Sequence, residues 1–590
     1  MRLSRDMAKH RPTAPTLLRW SKYTQVSEVQ DPLGLSLRGS ARLASRLLYC
    51  ITSVTPRARY FSFLPWCILD FQKREKDKPH ARGLREAIIL REQAFTLGCL
   101  THHDGEPCAG GRLVGTRGAR KWCCADATEV DFRKCKPFAK IPALSQYLNS
   151  LVNLGLFVTD DERPEADDEE EIEEFTFDAT ELSELGRDLA NRYDSVVGSL
   201  ACLKHLSEPD RTCKRTGLAE FGQRGGLCEL ADQTDGDRPL LRDIFFARTG
   251  RRDKSHRVRR QSLLLILELS HQLGVSGWEL NEPEFAGAAY FGRVQNAEEG
   301  IDITISPALA DIATRWRMFY FHYYMSVALE GLFVWLIAHL TKCGLAGADI
   351  DTLPALLSQT ATTATVAEAL GIKLSAPFGR TRPAELYGAV GVVAGNLDAT
   401  TGSALDRAVT TMTALAEDTL EAAIRSNTHL NTPAGLAVPM VLLATTLGRY
   451  ARWERTDYGQ WLASAAGDPY LDLIPPVLVG GLTARFGEWW QRPWEELTAF
   501  VLSRFVIRQH TAMSYAKSWT GERCLLQVDG EKVFATGAYE RVGIGNPRFR
   551  SAVQVLKDLG LARDDEGGVT HLTADGTRFL NEELAKEALA

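Results

Sequence analysis

At 590 residues the chain is longer than one hydrophobic core supports, so three or four domains are expected. With 45% hydrophobic and 24% charged residues, the composition excludes an intrinsically disordered protein. The net charge of −6 excludes a polycation that coats nucleic acid along its whole length.

The first thirty residues are basic (Arg2, Arg5, Lys9, Arg11, Arg19, Lys22) but lack the continuous apolar stretch of a secretory signal. Together with 12 cysteines in so long a chain, this reads as a cytoplasmic protein with reduced thiols. Charge comes in blocks. Residues 1–140 hold 26 Lys and Arg against 13 Asp and Glu, and residues 141–240 hold 9 against 23. Opposite blocks in one chain can pair within the fold or steer partners. Over the whole chain 51 Arg outnumber 18 Lys. Arg suits bidentate phosphate contacts, although a GC-rich genome gives the same bias without function.

Gly83–His103 reads as a long amphipathic helix, with Leu84, Ile88, Ile89 and Phe95 near helical spacing. A cysteine–histidine cluster opens at its end: Cys99, His102, His103, Cys108, Cys123, Cys124 and Cys135. Thiolate and imidazole are the usual ligands of tetrahedral zinc, so a zinc site is one reading and ordinary thiols are the other. The spacing favours thiols. Only Cys99-x2-His102 and His103-x4-Cys108 approach the short knuckles of structural sites, and adjacent Cys123 and Cys124 would point apart. The basic Gly-rich segment 110–118 lacks a following Gly-Lys-Ser/Thr and is not a P-loop.

Further along, helices are expected at Pro142–Gly155, from Thr180 to Leu206, at Arg238–Arg248 and at Arg257–Leu273. Ser306–Leu340 is the longest. Its stretch Phe319–Leu340 has the length to cross a bilayer, yet carries Glu330 at its middle and reads as the buried helix of a large α-domain. No membrane contact is expected. Thr362–Leu370, Pro383–Val393, Gly402–Ile424, Pro433–Arg452 and Trp494–Lys517 follow, divided by Gly, Pro or Asn-Thr-Pro. One hairpin is expected, Cys524–Val528 with Lys532–Ala535 across Asp529-Gly530. No 20–50-residue period repeats, which argues against a solenoid. The fold class is mainly α, a multi-domain helical protein with small β-hairpin modules. Expected units are 1–136, 137–206, 207–490 and 491–590.

Two segments share one plan. Pro547–Leu559 is a helix with Phe549, Ala552, Val553, Leu556 and Leu559 on one face, stopped by Gly560. A short strand, a turn at 564–568, a return strand Val569–Leu572 and a helix capped by Thr573 follow. In the other copy Leu144–Leu154 ends in Leu-Val-Asn-Leu-Gly-Leu at 151–156, a wing-like stretch follows, and a helix begins after Thr180. Helix, Gly stop, two-stranded wing and closing helix resembles the latter half of a winged helix-turn-helix domain, over about 138–195 and 541–588. The resemblance implies a helix in the DNA major groove with the wing on flanking backbone. Packing or protein contact is the other use of such a module. Arg548, Arg550 and Lys557 supply cations in the second copy. The first copy instead holds eleven carboxylates between Asp160 and Glu174, which phosphate would repel.

Arg248, Arg251, Arg252, Lys254, Arg257, Arg259 and Arg260 place seven positive charges in thirteen residues. Like charges so dense stay solvated until an anion arrives, either phosphate backbone or the acidic run at 160–174. Arg504 and Arg508, with Thr511 and Tyr515, form a second cationic stripe. His322, Ser326 and Glu330 recur at four-residue steps, but one straight helix offers neither a nucleophile turn nor an oxyanion hole, so a polar stripe in a helical core is expected. No Gly-x-Ser-x-Gly, His-Glu-x-x-His, Walker A or Rossmann motif occurs.

These readings converge on a non-enzymatic, DNA-associated component of a prokaryotic multi-protein assembly, with nucleic acid and other protein subunits as partners and no cofactor beyond the zinc reading. A role in DNA processing, regulation or defence is an analogy from module type. A protein-interaction scaffold and an enzyme with a dispersed, metal-dependent site are the alternatives.

Overall fold

The longest helix organises the molecule. In the computed structural model, which describes residues 31–75, 83–107, 111–123, 128–158, 181–295, 300–370, 373–389, 416–453, 488–489, 491–517, 524–543 and 545–588, helix Ala310–Cys343 is the central rod. It is apolar all round because it is surrounded: from Met318 to Ile337 every side chain is buried. Of its most apolar eighteen-residue window, 83% is covered by the protein itself. It is the one helix among the described residues long and apolar enough to cross a bilayer. Trp316 ties it to helix Lys254–Val275 by donating from Nε1 to Ser262 Oγ, 3.1 Å. On another side lie helices Glu417–Arg425 and Ala434–Trp453, pinned to Tyr290 by the buried Glu417–Arg449 pair.

The fold is mainly helical with small antiparallel sheets, as the sequence patterns indicate. The expected hairpin forms as Leu526–Asp529 with Lys532–Ala535, and Ala348–Asp349 adds a third strand at its edge. Two further antiparallel pairings carry little sequence signal, each only three residues long: the long-range pair Glu129–Asp131 with Thr212–Lys214, and the hairpin Arg293–Gln295 with Gly300–Asp302. Helix Tyr60–Arg74 was not expected from periodicity. Its residues Tyr60–Asp70 are all buried and Pro65 lies inside it, so it shows neither an amphipathic stripe nor a clean propensity run.

In the N-terminal third, helices Leu84–His102 and Arg215–Gly225 cross in backbone contact. A Cβ on Gly222 would lie 2.0 Å from the Gly98 carbonyl oxygen, so only glycine permits the crossing. Buried apolar side chains from Leu33 to Leu580 form one continuous cluster.

The two segments of common plan match hydrogen bond for hydrogen bond. Helices Ala143–Asn153 and Phe549–Asp558 both end in glycine at positive φ, Gly155 (73°) and Gly560 (72°). Each end is closed by the same pair of bonds: Gly155 N to Val152 O and Leu156 N to Leu151 O, Gly560 N to Lys557 O and Leu561 N to Leu556 O, all 2.9–3.0 Å. Ser183 and Thr573 then cap helices Glu184–Val197 and Ala574–Glu587 while donating back to Gly155 O and Gly560 O. In the second copy strands Ala562–Asp564 and Thr570–Leu572 form the wing. In the first copy only the Phe157–Leu182 bridge at the wing's base belongs to the described residues; the acidic run at 160–174 lies outside them.

Candidate functional site

The basic turn joins helix Arg238–Phe245 to helix Lys254–Val275 and sits between the two modules. Asp253 starts the second helix, accepting from Ser255 N and His256 N. The helix then sorts the cations by face. Arg259 is fully buried and donates to Phe245 O (3.0 Å) and Ile244 O (2.8 Å), closing the C-terminus of the preceding helix. Burial lowers its pKa. Arg260 grips Glu583 through Nε (3.1 Å) and Nη2 (2.8 Å) and pairs with Glu587. Arg248 donates to Glu583 Oε1 at 2.6 Å and lies 4.3 Å over the Phe579 ring.

Three of the seven cations are therefore held within the fold by carbonyls and carboxylates of the chain itself. Helix Ala574–Glu587 brings carboxylates to it from more than 320 residues away. Glu583 is 1% exposed, and its hydrogen bonds to Arg248, Lys586 and Arg260 outweigh burial and hold its pKa down at about 2. Arg251, Arg252, Lys254 and Arg257 point outward. Arg251 lies along Gly155 of the first module, 3.2 Å from Nε to where a Cβ would stand. Arg252 donates to the Arg248 carbonyl. Arg251, Arg252 and Arg257 engage no carboxylate among the described residues.

The turn's flanks address the two modules alike. Arg242 donates to Leu559 O (2.9 Å) and Asp575 (2.7 Å), and His256 Nε2 lies 3.1 Å from Asn153 O. Each places a basic side chain at the C-terminus of a module's first helix.

The cations of the second module are largely engaged. Arg548 donates to Ile51 O and Ser45 Oγ, Lys557 pairs with Asp564 on the wing at 2.5 Å, and exposed Arg550 reaches Glu282 at 3.1 Å. On the same helix Asp558 is buried and accepts from Arg57 Nε (3.0 Å) and Ala58 N (2.8 Å). Arg504 and Arg508 are exposed on one face, followed by Tyr515, which is 84% exposed. His510 and Lys517 turn inward: His510 lies 3.0 Å from Pro32 O and accepts from Leu525 N, and Lys517 donates to Asp31 O.

The His322–Ser326–Glu330 stripe is buried. Ser326 Oγ donates to the His322 carbonyl at 2.7 Å, so its proton is held by backbone, and Glu330 accepts from Gly543 N at 2.5 Å. Burial raises the Glu330 pKa well above its ordinary value.

The cysteine–histidine cluster is divided. Cys99 is buried inside its helix, Cys123 lies 3.9 Å from Thr101 Oγ1, Cys135 faces Asp131 O, and Cys108 and Cys124 lie outside the described residues. None of the described three joins the histidines. The histidines instead meet two residues that sequence spacing could not supply. His103 Nε2 is 3.0 Å from Cys228 Sγ, His102 Nε2 is 3.2 Å from Glu229 Oε1, and Cys228 Sγ is 3.4 Å from the same oxygen. Adjacent side chains on a helix diverge, but His103 leaves helical geometry at the C-cap and the two rings come within 4.6 Å.

Compared with protein-family models, curated proteins and solved structures, the chain matches none.

Proposed function

We propose that this chain is a non-enzymatic component of a DNA-associated assembly in a prokaryotic cytoplasm, holding nucleic-acid phosphates on the outward side of its basic turn. The observation that carries the reading is the trio Arg251, Arg252 and Arg257, exposed and without a carboxylate partner among the described residues, on a helix–turn–helix whose inward cations are engaged. A preorganised cationic ridge binds phosphate with little ordering cost, and such contacts set position without reading sequence. Arg504, Arg508 and Tyr515 offer a second surface of suitable chemistry, since an exposed aromatic on a helix that carries guanidinium groups can stack on an unpaired base. The winged-helix-like modules serve here as packing units, because the first helix of the second module spends Asp558 and Arg548 on internal bonds. Reduced thiols fit the proposed compartment: no two described cysteines form a disulfide. Work in DNA processing, regulation or defence follows by analogy with the module type.

An electrophoretic mobility shift on mixed-sequence duplex DNA tests this reading. Binding is expected at 50 mM salt, with a loss of about 40-fold by 200 mM if three phosphates are contacted. No shift at 50 mM rejects it. A second reading, a protein scaffold, is favoured by the position of Arg251 against Gly155, five residues before the acidic run begins at Asp160. There, an acidic peptide of sequence 160–174 would bind the turn and DNA would not.

A further inference from the structure

We infer that His102, His103, Cys228 and Glu229 form a zinc-binding site that ties the end of helix Leu84–His102 to the short 3-10 turn Cys228–Leu230. The donor set is two imidazoles, one thiol and one carboxyl, the types zinc prefers. With Cys228 as thiolate and Glu229 ionised, the two negative charges balance the ion. A tetrahedral zinc with bonds of about 2.0–2.3 Å separates its ligand atoms by about 3.3–3.6 Å. Three of the six separations stand at 3.0, 3.2 and 3.4 Å, so these edges of the tetrahedron are already near the values zinc requires. One ring nitrogen of each histidine and the Cys228 Sγ all lie within 4.8 Å of one another, and Glu229 joins this trio through His102 and Cys228.

The backbone under the site is fixed independently of any ion. Gly98 and Gly222 hold the two helices in contact one turn before the histidines and shortly before Cys228. His102 and Glu229 are about a quarter and a third exposed, which leaves an entry path for a hydrated cation. Four protein ligands from two elements describe a closed, structural site, and binding would release the Cys228 thiol proton to solvent.

The test is metal content of the full chain, purified without a polyhistidine tag or chelator. Expected is one zinc per chain by mass spectrometry, lost in Cys228→Ser and His103→Asn and kept in Cys135→Ser, with circular dichroism confirming that each variant is folded. Should the variants fail to fold, cobalt(II) titration of the wild-type chain decides: a cobalt–thiolate charge-transfer band saturating at one equivalent supports the site. Absence of both zinc and the cobalt band overturns it, as does full zinc retention in folded Cys228→Ser.

Discussion

Glu583→Gln is expected to loosen the C-terminal module from the rest of the molecule. Its carboxylate receives Arg248, Arg260 and Lys586 while itself almost fully buried, so the substitution leaves two guanidinium groups facing a neutral amide. Breaking a buried ion pair on one side costs about 3 kcal/mol or more, and a pKa displaced from 4.5 to about 2 corresponds to a stabilisation of the same order. The sign follows from the depressed value. The contribution is complete above pH 4.5 and is lost as pH falls toward 2, when the carboxylate protonates in the folded state too. Limited proteolysis between pH 7 and pH 3 reads it. Wild-type protein should begin to release fragments 545–588 only below about pH 4, and Glu583→Gln should release them already at pH 7. Equal resistance of both proteins across the range would show that this carboxylate does not dock the module.

Gly222→Ala is expected to be more damaging. The added methyl would stand 2.0 Å from the Gly98 carbonyl oxygen, where contact distances are about 3.5 Å, and both atoms belong to helix backbones that cannot rotate away. The helices must separate along their whole crossing, a change of the kind that costs about 4 kcal/mol or more. The companion substitution Gly274→Ala, where a Cβ meets nothing within 4 Å, should stabilise by up to about 1 kcal/mol through helix propensity. Denaturant midpoints monitored by circular dichroism compare the two. A Gly222→Ala midpoint within error of wild type would contradict the crossing as described.

What the sequence carried and what it withheld divide along physical lines. Local patterns survive in the fold. The central helix, the hairpin at 526–535 and both Gly-stopped helices are written in hydrophobic period, Asp-Gly turn chemistry and Leu-Gly-Leu endings that act over a few residues. Helix Tyr60–Arg74 was hidden because burial on every side removes the periodic signal. The division of the basic turn was hidden for a different reason. Charge density says how strongly seven cations repel, but Glu583 and Glu587, which neutralise part of that charge, approach from more than 300 residues away. The same holds for His102 and His103, whose partners Glu229 and Cys228 lie 127 and 125 residues on; Cys99 and Cys135, though near in sequence, face elsewhere. Only the doubled histidine at a helix end hinted at convergence.

The separation of the turn into an inward, docking side and an outward, open side is tested most directly by the salt dependence of DNA binding, followed by fluorescence anisotropy of a labelled duplex. Alanine at Arg251, Arg252 and Arg257 together should flatten the slope of log affinity against log salt by about 2.7, at unchanged thermal stability, because each phosphate contact contributes about 0.9. An unchanged slope in the triple variant, or no wild-type binding at any salt concentration, would contradict an open cationic face on this turn.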